Sequence, residues 1–581
     1  MWSYVWSLLV LFVVCKDTIV MVKSTESPAA FLLPSQTGVD DSRSSVCSAP
    51  DPSLNYKPVI GILSHPGDGA TGRLSNDTNA SYIAASYVKL AEAGGARVIP
   101  LIYNEPEQLL FQKLKLVNGV IFTGGWAKKG LYYDIVKKIF TRALERNDGG
   151  EHFPVYAICL GFELLTMIIS QNRDIFEKVD AKNSASSLQF VENVSTQGTV
   201  FQRFPELLKK LTTDCLVMQN HQFGISPDNF EGNIALSRFF KIVTTCLDGN
   251  RKAYVSTVQS KIYPVTGFQW HPEKNAFEWG SSKIPHSEDA VQVTQLTANY
   301  LVSEARKSLN RPSPDEVLSN LIYNYKPTYC GYEGRGYDEI LLFFSGQRPP
   351  QSKASSIGLL DQSSGLVSNQ VRTLKLAFVW KRHKMGRIME WAARSDHLGG
   401  VPRKAVITAV GVFARAVANL CNRTTVHNAD TLMTLVRSRP PGVPLITFGI
   451  SPDNFEGNIA LSRFFKIVTT CLDGNRKAYV STVQSKTYPV TGFQWHPEKN
   501  AFEWGSSKIP HSEDAVHVTQ LINYLVGEAR KSQNRPSPEK VLSNLIYNYK
   551  PTYCGYEGRG YDEVYIFAQQ RSFSKNKHPL V

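Results

Sequence analysis

The sequence has no run of about 18 uninterrupted apolar residues, so a helical membrane span is not expected. Cysteine is scarce. Nine in 581 residues is too few for a small disulfide scaffold. Glycine (40) and proline (31) stand at ordinary shares, which excludes collagen-like and low-complexity chains. Charged residues make up only 20%, against 42% hydrophobic and 11% aromatic, so the bulk of the chain can bury a core. At roughly 100–200 residues per domain the length implies about three to five domains.

The net charge of +14 invites a nucleic-acid reading, but its distribution opposes one. Residues 344–447 hold 15 basic and 4 acidic residues, while the other 477 hold 49 and 46. The excess belongs to one segment, so no nucleic-acid partner is expected. The N-terminus lacks Lys or Arg ahead of its apolar run, Leu8 to Val14. That run is short for a bilayer span and suits a secretory signal peptide over residues 1–23, with an uncleaved anchor as the alternative. Sequons at Asn76, Asn79, Asn193 and Asn422 agree with the secretory route.

An internal repeat organises the chain. Phe223 to Glu339 returns almost residue for residue as Phe448 to Glu563, with one deletion after Leu521. A period of about 225 residues is far beyond the roughly 20–50 of solenoids, so this is a partial duplication or a joined gene product. The expected boundaries are a linker over 24–56, a first unit over 57–343, a basic linker or insert over 344–447, the partial copy over 448–567 and a tail over 568–581. Within the first unit, strands are expected at Val59–Leu63, Arg97–Leu101, Gly119–Phe122 and 154–158, alternating with helices at 82–93, 132–146 and 161–170. Further strands follow at 241–247, 253–258 and 265–270, then a closing helix at 287–307. Strand alternating with helix argues a parallel sheet covered on both faces.

Three constellations carry chemistry. Tyr156-Ala-Ile-Cys159-Leu-Gly161 runs from a buried strand through a tight turn into a helix, the setting of a nucleophile elbow. The small neighbours Ala157 and Gly161 suit the turn, and a helix N-terminus should lower the thiol pKa. Trp270-His271-Pro-Glu273 places an imidazole just past a strand end, where open sheets build their sites. His271 can take the thiol proton and return it to a leaving amine, with Glu273 orienting the ring. Thr123-Gly124-Gly125 ends another strand, and its N–H groups with that of Leu160 could form an oxyanion hole. Taken singly, each is equally a buried structural cysteine, a loop ion pair and a turn.

In this chain order the three resemble class I glutamine amidotransferases. The stretches KPVIGIL, SYIAASYVKLAEAGGARVIPL, GVIFTGG, FPVYAICLGFELL, FQWHPEKNAFEW and NLIYNYKPTY narrow the resemblance to the gamma-glutamyl hydrolase family, over about residues 57–343. The implied fold is α/β, a flavodoxin-like class I glutamine amidotransferase sheet with helices on both faces, followed by an incomplete second copy of its C-terminal half. The implied activity is hydrolysis of γ-glutamyl peptide bonds of folylpoly-γ-glutamates through a γ-glutamyl thioester. By position, Cys159 is the nucleophile, His271 the base and proton donor, and Glu273 the orienting carboxylate. His221 in QNHQFGISP matches a substrate-pocket histidine, and Glu163 follows the elbow. Ala157 departs from the family's usual Gly. No cofactor and no metal are implied, a homodimer stays open, and the compartment is a lysosome, a vacuole or the exterior. Another amidotransferase-like γ-glutamyl hydrolase, or a non-catalytic chimera, remains the alternative.

The second copy keeps Trp495-His496-Pro497-Glu498 but has no Gly-Gly turn and no elbow cysteine, so it is expected to be inert. Residues 385–447 resemble, more weakly, the N-terminal part of tafazzin-type acyltransferases, without the His-x4-Asp motif. Their basic and aromatic residues would allow a weak contact with a membrane surface.

Overall fold

The computed structural model describes residues 51–67, 80–330, 337–344, 448–555 and 561–567. The leader over 1–23, most of the linker, the sequons at Asn76, Asn79 and Asn422, the basic insert and the tail from 568 lie outside the described residues. Among the described residues no helix is long and apolar enough to cross a membrane.

The first unit is built on one eight-stranded sheet. Its strands are β1 (Val59–Leu63), β2 (Arg97–Leu101), β3 (Gly119–Phe122), β4 (Val155–Ile158), β5 (Gln189–Phe190), β6 (Phe240–Leu247), β7 (Ala253–Ser260) and β8 (Val265–Phe268). They lie in the order β2-β1-β3-β4-β8-β7-β6-β5. The pairs from β2 to β8 are parallel and the rest antiparallel. The parallel strands read as continuous apolar runs because both faces are covered. On β1, Ile60 and Ile62 join a core under α1 (Ala85–Ala93) and α4 (Glu288–Arg306). Val59 and Leu63 face the other core, under α2 (Leu131–Asp148) and α3 (Leu160–Ser170). This is the fold class that the resemblance implies.

One expected helix begins late. Residues 80–84 form a strand, and the helix starts only at Ala85. The cause is remote: Ala80–Ala84 pairs antiparallel with Glu339–Phe344, some 250 residues away, which no local periodicity reveals. The last strand of the parallel set also ends early, at Phe268 rather than Trp270. There the chain leaves β4, and the His271 N–H donates instead to the Met218 carbonyl oxygen at 2.9 Å. Met218 belongs to an antiparallel ribbon, Glu177–Ser186 with Val217–Gly224, that stands beside the sheet's C-terminal edge and carries His221.

The second copy reproduces only the antiparallel part. Its strands β9 (Phe465–Leu472), β10 (Ala478–Ser485) and β11 (Thr491–Phe493) pair in the register of β6, β7 and β8. Among the described residues no strand pairs with the outer edge of β11, where β8 meets β4 in the first unit. Without that sheet some apolar positions open to solvent: Val243 is fully buried, whereas its counterpart Val468 is 40% exposed.

Candidate active site

Three strand ends converge. β4 runs into Cys159, which caps α3 at φ 51° and ψ −104°, a conformation costly for any residue with a Cβ. The surroundings hold it there. The Cys159 N–H donates to the Phe268 carbonyl oxygen at 2.7 Å, and the Glu163 N–H closes the first helical turn on the Cys159 oxygen at 3.0 Å. Gly161 has no alternative: a Cβ there would stand 2.5 Å from the Phe122 carbonyl oxygen. This is the elbow geometry expected from the motif.

The sequence reading put the thiol pKa below its ordinary value. The structure corrects this. Burial pushes it up strongly, and the carboxylates of Glu163 and Glu273 add to the rise. The Leu160 N–H, directed at the sulfur, and Lys128 oppose it without prevailing. A helix N-terminus supplies only a partial charge, which complete desolvation of the anion exceeds. In the resting protein Cys159 is therefore a thiol, and it needs a base.

His271 stands ready to be that base. Its Nδ1 lies 2.8 Å from Glu273 Oε1, and both side chains are buried, at 3% and 0% exposure. Burial is the largest single influence on Glu273 and raises its pKa, yet His271, with lesser help from Lys274 and a backbone N–H, holds the carboxyl below its ordinary value. A carboxylate there fixes the proton on Nδ1 and leaves the lone pair on Nε2. Nε2 is buried and has no hydrogen-bond partner among the described residues. The Gly124 turn lies between base and nucleophile. A Cβ on Gly124 would sit 2.9 Å from His271 Cε1 and 3.5 Å from Cys159 Cβ.

The Gly-Gly turn differs from expectation in one respect. The Gly124 N–H is already engaged, donating to Tyr87 Oη at 2.9 Å, so an oxyanion role would require it to leave that phenol. Gly125 is packed against His65, whose Nε2 would be 2.3 Å from an added Cβ. His65 Nε2 accepts from the N–H groups of Trp126 and Ala127, at 3.1 and 3.2 Å, while Nδ1 donates to the Pro66 oxygen at 2.8 Å. Burial pulls its pKa down to about 3, so the ring stays neutral and keeps both bonds.

Glu163 is buried and forms an ion pair with Lys128 at 2.6 Å, and Gln269 Nε2 donates to its other oxygen at 3.4 Å. His221 lies on the ribbon, with Nδ1 2.8 Å from the Phe223 oxygen and its ring edge-on to Tyr254. Burial lowers its pKa to about 4, with His271 a lesser cause. Sequence reasoning did not single out Tyr87, His65, Lys128 or Gln269. Lys128 follows GVIFTGG by three residues, and Gln269 lies inside FQWHPEKNAFEW. His65 lies outside every recognised stretch, and Tyr87, although within SYIAASYVKLAEAGGARVIPL, sits in no chemical motif.

In the second copy the imidazole–carboxylate pair is preserved, with His496 Nδ1 2.8 Å from Glu498 Oε1, but the side chains are 43% and 49% exposed. The described cysteines of that copy, Cys471 and Cys554, sit on or beside its strands and cap no helix.

Comparisons with known proteins follow this geometry. The Peptidase C26 family matches residues 58–273. Gamma-glutamyl hydrolase 2 of Arabidopsis thaliana is 80% identical over 344 residues, 59% of this chain and 98% of that protein. Gamma-glutamyl hydrolase of Homo sapiens is 35% identical over 289 residues, 49% of this chain and 89% of that protein. A glutamine amidotransferase of Thermotoga maritima is similar in structure, at 17% identity and a TM-score of 0.26, over 43% of this chain and 99% of that one.

Proposed function

The chain belongs to the gamma-glutamyl hydrolase family, and from that premise we propose how its own residues carry the reaction. It is a cysteine-type hydrolase of γ-glutamyl peptide bonds, and its substrates are folylpoly-γ-glutamates. Cys159 is the nucleophile. His271 Nε2 takes the thiol proton as sulfur attacks the γ-carbonyl carbon, a transfer made necessary by the raised thiol pKa. The oxyanion forms beside the Leu160 N–H, which already points at the sulfur, with the Gly125 turn as neighbour and the Gly124 N–H joining once it leaves Tyr87 Oη. The imidazolium then protonates the departing amine, and the C–N bond breaks to leave a γ-glutamyl thioester. Water, deprotonated by the same Nε2, attacks that carbonyl, and the thiol leaves with its proton restored. Glu273 keeps the imidazole in the tautomer that both half-reactions need. Glu163, paired with Lys128, and His221 line the substrate side.

The observation that carries this reading is the buried, unpartnered His271 Nε2 beside a cysteine in elbow geometry. Product analysis on folate polyglutamates tests it. Wild type releases γ-glutamyl products, and Cys159→Ala releases none while keeping its circular dichroism. Preference for glutamine over folate polyglutamates would favour the amidotransferase-like alternative, and persistent turnover in clean Cys159→Ala would remove Cys159 from the mechanism. The active unit is residues 57–343, the copy over 448–567 is catalytically silent, and the leader with the exposed sequon at Asn193 supports the secretory route to a lysosome, a vacuole or the exterior.

A further inference from the structure

The second copy packs against the first unit. Arg306, near the end of α4, donates through Nη2 to the His511 carbonyl oxygen, and Arg530 of the copy does the same to the His286 oxygen, both at 3.1 Å. Tyr323 stacks on Tyr553 with ring centroids 5.2 Å apart, and Tyr329 on Tyr547 at 5.7 Å. Beside these contacts lies a cavity of about 570 Å³, within the roughly 300–1,000 Å³ of small-molecule sites. The first unit lines it with Lys57, Arg97 and Arg311, and the copy with Trp504, Tyr553 and Asp562. Lys57 stands just before β1, and Arg97 opens β2. The cavity therefore sits at the N-terminal ends of the parallel strands, whereas Cys159 and His271 follow the C-terminal ends.

Its polar groups are out of balance. Lys57, Arg97 and Arg311 bring three positive charges against the one carboxylate of Asp562. Asp562 Oδ2 accepts from the Trp504 backbone N–H at 2.5 Å, and Arg311 Nη1 donates to the carbonyl oxygens of Ser308 and Asn310, at 2.6 and 3.1 Å. Arg97 Nη2 donates to the Lys57 carbonyl oxygen at 3.1 Å, but Arg97 Nε is buried without a partner among the described residues. So is Trp504 Nε1. The Arg97 guanidinium lies 5.3 Å from the centroid of the Trp504 ring, and the two residues are only 9% and 8% exposed. A guanidinium and an indole N–H donate and never accept, so only acceptor atoms can satisfy them. The repeat supplies an internal control. Trp279, the counterpart of Trp504, stacks on His286 at 3.9 Å much as Trp504 stacks on His511 at 4.1 Å, yet it is 62% exposed. Lys57 and Arg97 precede the repeated stretch, so the copy offers Trp279 no such neighbours. The orphaned donors belong to the cavity and not to the Trp–His stack.

We propose that this cavity binds a planar aromatic carboxylate, at a site separate from the catalytic centre. The carboxylate supplies the acceptor oxygens that Arg97 Nε and Trp504 Nε1 lack, and its charge answers the excess of Lys57, Arg97 and Arg311. The ring accounts for the rest of the space, which is walled by Trp504 and by the stacked pair Tyr323 and Tyr553. A bare inorganic anion meets the charge but leaves those aromatic walls uncovered. Because the walls come from both parts of the chain, occupancy holds the copy against the first unit.

Titration of the full chain with 2-naphthoate, a fluorescent planar carboxylate, tests this, with cyclohexanecarboxylate and inorganic phosphate in parallel. Wild type should bind one naphthoate per chain, and bind the other two more weakly. Trp504→Phe keeps a ring and removes the N–H, and should raise the Kd about 10-fold or more. Arg97→Gln should abolish binding. Should Arg97→Gln fail to fold, Lys57→Gln at the exposed rim carries the charge test: it should weaken binding and lessen its dependence on salt. All three variants should keep the wild-type kcat, since none of these residues enters the catalytic reading, and naphthoate should bind Cys159→Ala as it binds wild type. No saturable binding, a Kd indifferent to Trp504→Phe, or phosphate or cyclohexanecarboxylate binding as tightly as naphthoate would each overturn the proposal. Competitive inhibition of γ-glutamyl hydrolysis by naphthoate would also overturn it, by placing the ligand in the catalytic cleft.

Discussion

Glu273→Gln and Glu498→Gln change the same carboxylate in the same local sequence, and the structure assigns them opposite consequences. In the first unit Glu273 is inaccessible and its Oε1 holds His271 Nδ1 at 2.8 Å. A glutamine fits that space, but its amide nitrogen can turn towards Nδ1 and donate to it. The proton would then sit on Nε2, and His271 could no longer accept from the thiol. An imidazole held in the wrong tautomer costs about four orders of magnitude in a comparable hydrolase triad. Even with the right tautomer, loss of a hydrogen bond to a charged group costs about 1.5–3 kcal/mol, or roughly 10- to 150-fold. The expected fall in kcat for Glu273→Gln is therefore between about 10-fold and 10⁴-fold. The fall for Glu273→Ala is at the lower end, because alanine imposes no tautomer. Glu498 holds His496 at the same 2.8 Å but in solvent, where such a pair is worth about 0–1 kcal/mol. Glu498→Gln should leave kcat, KM and Tm unchanged. Steady-state kinetics on a γ-glutamyl substrate, with Tm measured in parallel, decides it. Turnover near wild type in a folded Glu273→Gln, or a loss in Glu498→Gln, would refute the assignment of His271 and Glu273.

Gly161→Ala drives a Cβ to 2.5 Å from the Phe122 carbonyl oxygen, against backbone that cannot step aside, so Tm should fall by an amount matching about 1–3 kcal/mol, with kcat falling as the elbow shifts; an unchanged Tm would show the contact to be soft. Docking of the copy should weaken as pH rises. Burial raises Glu92 and Glu563 to about 7, each helped by a neighbouring carboxylate, while the Tyr323 phenol and Lys89 oppose the rise at Glu92, so the docked form binds protons that the undocked form releases. This contribution is complete below about 4.5 and is lost as pH rises through about 7. Hydrogen exchange across residues 538–553 should be slower at pH 5 than at pH 8 after correction for the intrinsic rate, and the reverse order would remove these carboxyls from the interface.

What the sequence made legible follows from where each determinant lies. β1 to β4 are continuous apolar runs because both faces of a parallel sheet are covered, and their limits could be read to within a residue. Cys159, His271 and Glu273 were legible because each stands at a strand end inside a short motif. The strand at Ala80–Ala84 was not, since its partner is Glu339–Phe344. Tyr87 and His65 were not, since the first reaches Gly124 from a helix and the second reaches Trp126 and Ala127 from a two-residue strand. The direction of the Cys159 pKa was misread for the same reason. The helix N-terminus is local and visible in sequence, whereas desolvation and the Glu163 and Glu273 charges come from the assembled site.

The two copies of Trp-His-Pro-Glu isolate that distinction in one molecule. Their local geometry agrees, including the 2.8 Å bond and the turn that follows it. What differs is everything supplied from outside the repeat. In the first unit β4 lies against β8 and brings Cys159 to the imidazole, and the Met218 ribbon holds the backbone of His271. In the copy β11 meets no such strand among the described residues, and its imidazole opens to solvent. A base becomes catalytic only when a nucleophile is held within reach and water is excluded from the pair. The sequence duplicated the imidazole and its carboxylate partner, but neither the sheet that carries Cys159 nor the walls that bury the pair. The copy retains most of the face of α4, broken by the deletion, and the C-terminal turn and strand, and through these it contacts the first unit.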